Sequence, residues 1–124
     1  MDDASLTLAL LASRFPTVTQ DGTLYVAGLA VDVQTDTSLL RGDTDGQRDF
    51  GYYDPRDAVI GLAPQTTPER RLRALIHEAL HVTDEAYDLG LSHRHIRAIA
   101  ATLSSVLMDP RNASLINPLL LRSS

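Results

Sequence analysis

The chain has 124 residues, a size that a single domain fills and that suffices for one buried core. With 44% hydrophobic residues and a net charge of −5, it has the composition of a globular protein and lacks the basic excess that nucleic-acid binding demands. No apolar run reaches the roughly 18 residues of a membrane span, and Met1-Asp2-Asp3 is unlike a secretory signal, so no membrane partner and a cytoplasmic setting are expected.

Apolar residues recur at helical spacing from Ser5 to Arg14, which predicts a short helix ended by Phe15-Pro16. Leu24 to Val33 is rich in Val, Leu and Tyr and predicts one strand, with Gly28 at a bulge. Thr35 to Asp49 mixes Asp, Gly, Thr and Arg and predicts an exposed loop. Phe50 to Tyr53 and Ala58 to Ala63 predict two strands joined by a turn at Asp54-Pro55-Arg56-Asp57.

The second half changes character. Thr67-Pro68-Glu69 is a helix start: Thr67 can cap, proline is tolerated in the first turn, and Glu69 suits the positive end of the dipole. Leu72, Leu75, Ile76, Ala79, Leu80, Thr83 and Tyr87 form one stripe, and Gly90 marks the stop. Ser92 is placed to cap a second helix whose expected buried stripe is Ile96, Ile99, Leu103, Val106 and Leu107, ending at Asp109-Pro110. The tail from Asn112 to Arg122 is too apolar to hang free and is expected to pack on the domain or on a partner. Residues 1–124 therefore make one α+β domain, with a small antiparallel sheet, a central helix and a second helix beside it.

All four histidines, His77, His81, His93 and His95, fall in one short stretch. There is no cysteine, so disulfides and thiolate sites are excluded and any metal must be held by His, Asp or Glu. His77-Glu78-Ala79-Leu80-His81 has the H-E-x-x-H spacing. Residues four apart lie one above the other on a helix, so both imidazoles can reach one ion. Zinc takes neutral imidazole nitrogen at about 2.0–2.1 Å, and a catalytic zinc uses three protein ligands plus water. Glu78 lies about 100° round the helix from His77, beside the ligands without being one. A carboxylate there can act as general base toward a water acidified by the metal. The plainer alternative is two surface histidines flanking a structural glutamate.

Asp84, Glu85 and Asp88 continue the same helix, and one straight helix does not easily wrap three ligands around an ion. They suit carboxylates that orient an imidazole, or a solvated helix end. His93 and His95 follow the Gly90 turn, where the chain can fold back, and lie on opposite borders of the second helix's apolar stripe. His93 is the favoured third ligand, with His95 next and an acidic residue after that. Tyr52 and Tyr53 precede the motif on a strand and suit a core or edge role. Arg70, Arg71 and Arg73 suit a solvated face.

Gly51 to Leu107 resembles small phage- and prophage-encoded zinc metallopeptidases, distantly similar to the ImmA/IrrE type. The resemblance is carried by GYYD, AVIGLAP, TPERRLRALIHEALH and LGLSHRHIRAIAATLSSVL, of which the H-E-x-x-H part is highly specific. It implies a minimal zincin-like domain, in which a short sheet packs on the motif helix and the next helix gives the third ligand, commonly Glu. Ser92 to Ile96 has no Glu, so His93 or His95 stands in for it. The expected activity is zinc-dependent hydrolysis of a peptide or protein substrate with Glu78 as base. The second expectation is a phage accessory binding module with a structural or vestigial metal site.

Overall fold

The computed structural model describes residues 20–39, 51–64 and 67–120; the helix predicted over Ser5 to Arg14 and most of the loop predicted up to Asp49 lie outside them. Where one strand is predicted, there are two: β1 (Gly22–Val26) and β2 (Leu29–Thr35), an antiparallel hairpin. Ala27 and Gly28 turn the chain, both with left-handed backbone (φ 52° and 77°). Such a two-residue turn with φ positive twice matches the twist of the strands it joins. Asp and Asn are absent from it, and for that reason the run reads as unbroken.

β3 (Gly51–Asp54) and β4 (Val59–Leu62) form a second antiparallel pair, as the turn residues between them predict. β4 then pairs with β2 in parallel, Val33 opposite Ile60, giving the order β1-β2-β4-β3. The sheet is therefore mixed, a correction to the all-antiparallel expectation, while the α+β class stands. Alternation sends Val31, Val33, Ile60 and Leu62 to one face, where all four are buried.

That face is covered by helix α1 (Pro68–Tyr87), through Ala74 and Val82. Thr67 caps it, its hydroxyl accepting the Arg70 N–H at 3.2 Å, and Pro68 occupies the first turn. The residues α1 buries are Arg71, Ala74, Glu78 and Val82, one position round from much of the predicted stripe; Tyr87 is exposed. Arg71 is buried instead of solvated. It donates to the carbonyls of Gln20 (2.6 Å) and Ala63 (3.4 Å) and lies 3.9 Å from Asp21, tying the helix start to the sheet.

Helix α2 (His93–Met108) returns antiparallel along α1, so that His93 lies beside the middle of α1 and Met108 near Glu69. Its buried line is Ile96, Ala100 and Ser104. Ile99, Leu103, Val106 and Leu107, predicted to be buried, are each more than a third exposed, so α2 is rotated relative to the expectation. A 3-10 turn at Pro110–Asn112 leads into α3 (Ala113–Leu120), which carries Pro118. The tail is thus helical, and of the two packings expected for it, that on the domain is not found among the described residues, where Leu115, Leu119 and Leu120 are exposed. No helix among these residues is long and apolar enough to cross a membrane.

Candidate metal centre

The helical period brings His77 and His81 onto one face of α1, their ring centroids 5.0 Å apart. The link from Tyr87 to Ser92 folds the chain back. Asp88, not Gly90, ends α1 in left-handed conformation (φ 52°), and Gly90 follows with φ 71°. Ser92 then caps α2, its hydroxyl accepting the His95 N–H at 3.2 Å. This places His93, the first residue of α2, with its ring 4.8 Å from that of His81 and 5.9 Å from that of His77.

The three imidazoles offer nitrogens that all lie within 4.8 Å of one another, close enough to hold a metal ion. A tetrahedral ion with bonds of about 2.0–2.1 Å needs nitrogens roughly 3.3 Å apart, within reach of small side-chain rotations. His95, the alternative third ligand, is exposed and outside this cluster; the half-buried Asp84 and the exposed Glu85 and Asp88 lie outside it too. Helical geometry explains the choice: two residues along α2 from His93, the His95 side chain projects about 200° away.

Electrostatics favour the neutral state of two of these imidazoles. His77 is pushed down to about 4, chiefly by burial and further by His81, His93 and Arg97. His81 is lowered by burial and by His93, with Asp84 opposing. Neutral imidazole is the form that ligates, so neither ring has to shed a proton near neutral pH. His77 and His81 are half-buried and His93 is exposed, which leaves the cluster open toward solvent on the α2 side.

Glu78, the residue after His77, is on the side of α1 that packs toward the sheet and is 5% exposed. Gly51 on β3 faces it: a Cβ built there would stand 3.3 Å from Glu78 Cγ and only 2.7 Å from Leu62 Cδ2. The absence of a side chain at position 51 thus lets β3 close over Glu78. Nothing in the sequence pattern marks Gly51 for this task; only its place opposite Leu62 does. The two tyrosines part company, as strand alternation requires. Tyr53 turns toward α1, where its hydroxyl bonds with Glu85, and burial raises its pKa. Tyr52 lies on the other face over Gly61 and donates to Asp36 Oδ2 at 3.2 Å, away from the histidines.

No protein-family model matches the chain, and comparisons with curated proteins and with solved structures find no match either. The functional argument therefore stands on the chain's own residues and their arrangement.

Proposed function

We propose that the protein is a zinc-dependent peptidase in which His77, His81 and His93 hold the ion and Glu78 is the general base. The observation that carries this reading is the convergence of three histidines from two helices, with Glu78, the neighbour of His77 in the chain, buried on the same helix. Three imidazoles are a known catalytic donor set for zinc, and a site with three protein ligands leaves the fourth position for water. A structural zinc site is closed by four protein ligands, and only three gather here among the described residues. Bound zinc supplies Lewis acidity that lowers the pKa of a coordinated water toward about 7.

The chain's own residues would then do the following. Glu78 accepts a proton from water at its carboxylate and passes it to the leaving amine nitrogen as the peptide bond breaks. Its Cγ packs under Gly51 and the residue is 5% exposed, so its side chain is held in a confined setting. A peptide substrate, as opposed to a small molecule, is supported by β3. It lies at the edge of the described sheet next to Glu78, and an edge strand can align an extended chain by backbone pairing. The H-E-x-x-H spacing of His77, Glu78 and His81 supports the same reaction class.

The test is Glu78→Gln, which keeps size and hydrogen-bonding reach but removes the basic carboxylate. Zinc content should be unchanged, and cleavage of a peptide library or a host lysate should fall by about 10²–10⁴-fold. A wild type that cleaves nothing, yet captures a protein equally well with Gln at position 78, would establish the accessory binding module instead.

A further inference from the structure

His93 reaches the other two histidines only if the link between α1 and α2 has one shape. That link is short and built with two left-handed residues, Asp88 and Gly90, and its fixed point is Asp84. The Asp84 backbone carbonyl accepts the N–H of Asp88 and the N–H of Leu89, the latter at 3.1 Å, which closes the end of α1. Its side chain reaches further. Asp84 Oδ1 accepts the Leu91 N–H at 2.9 Å, across seven residues, and Leu91 stands two residues before His93. One residue thus holds both ends of the link, one helical turn beyond His81.

Resting on the zinc reading above, we propose that Asp84 is the positioning residue of the metal centre: its carboxylate oxygen clamps the Leu91 amide and so delivers His93 to His77 and His81. Asp84 is not itself a ligand, and it lies outside the cluster of histidine nitrogens. Its work is to remove the freedom of the link, so that the third imidazole is ordered before the ion arrives. Groups that orient ligands in this indirect way typically contribute 10–100-fold to metal affinity. The hydrogen bond, not the negative charge, carries the effect, and the two are separable by substitution.

The experiment measures zinc affinity of the full chain by competition with a chromogenic chelator, with the absorption of the cobalt-substituted protein as a readout of ligand geometry. Asp84→Asn keeps the acceptor oxygen without the charge and should bind zinc within about threefold of wild type. Asp84→Ala should lose about 10–100-fold and change the cobalt spectrum. Should Asp84→Ala fail to fold, Asp84→Glu, which keeps the charge but overreaches the Leu91 amide, should show the loss. In a His93→Ala background the same Asp84 substitution should cost nothing further, because the residue acts through His93. Equal loss in Asp84→Asn, or an undiminished loss without His93, would overturn the proposal. Wild-type zinc binding unaffected by any Asp84 variant would overturn this inference alone; absence of zinc binding by wild type would overturn the metal reading and this inference with it.

Discussion

At the scale of single residues, the site depends on groups whose environment differs sharply from water. His77 is held neutral down to about 4, against an ordinary value of 6.5. Between those values the unfolded chain binds more protons than the folded one, so stability rises with pH across that window. The metal-free protein is thus expected to keep its full stability above about pH 6.5 and to lose part of it as pH falls toward about 4. His81 acts in the same direction. Urea midpoints measured from pH 7.5 to 4.5 on chelator-treated protein test this. The fall should be shallower in His77→Ala than in wild type, and parallel profiles would contradict the assignment. Gly51 gives a second residue-scale prediction. An alanine methyl there would meet Leu62 Cδ2 at 2.7 Å and the Gly61 carbonyl oxygen at 2.9 Å. Gly51→Ala should therefore destabilise by about 1–3 kcal/mol through overpacking. A neutral or stabilising outcome in urea unfolding would show that β3 does not close onto Glu78 as described.

At the scale of elements, what was legible in the sequence is what local chemistry determines. Thr67 and Ser92 cap where a hydroxyl can accept a free amide, and the four-residue spacing of His77 and His81 follows from the helix itself. Periodicity does not choose between His93 and His95; the direction of α2 relative to α1 is what brings His93, and not His95, beside His77 and His81. That direction is a tertiary property, as is the rotation that buries Ser104 and leaves Leu103 exposed. The parallel pairing of β2 with β4 is likewise non-local. The Ala27-Gly28 turn escaped because its residues are apolar, and the buried Arg71 because a charge is expected outside until its carbonyl partners are known. The rotation of α2 has a measurable consequence. Ile96→Ala empties a fully buried position and should cost about 2–5 kcal/mol, whereas Leu103→Ala, at a position 44% exposed, should cost markedly less. Equal costs would show that the outer face of α2 is covered.

At the scale of the whole molecule, the fold is a frame that brings three things together: a helix carrying two histidines, a second helix bringing the third, and an edge strand over a buried glutamate. The core of Val31, Val33, Ile60, Leu62, Ala74 and Val82 fixes α1 on the sheet, and Ile96 and Ala100 fix α2 alongside. The most direct test is elemental analysis of the purified full chain beside four alanine variants. Wild type and His95→Ala should each carry about one zinc per chain, His77→Ala and His81→Ala should each lose it, and His93→Ala should keep only a much weaker affinity through the remaining pair. Zinc retained in full by all three of those variants, or lost on removing His95 alone, would contradict the metal centre.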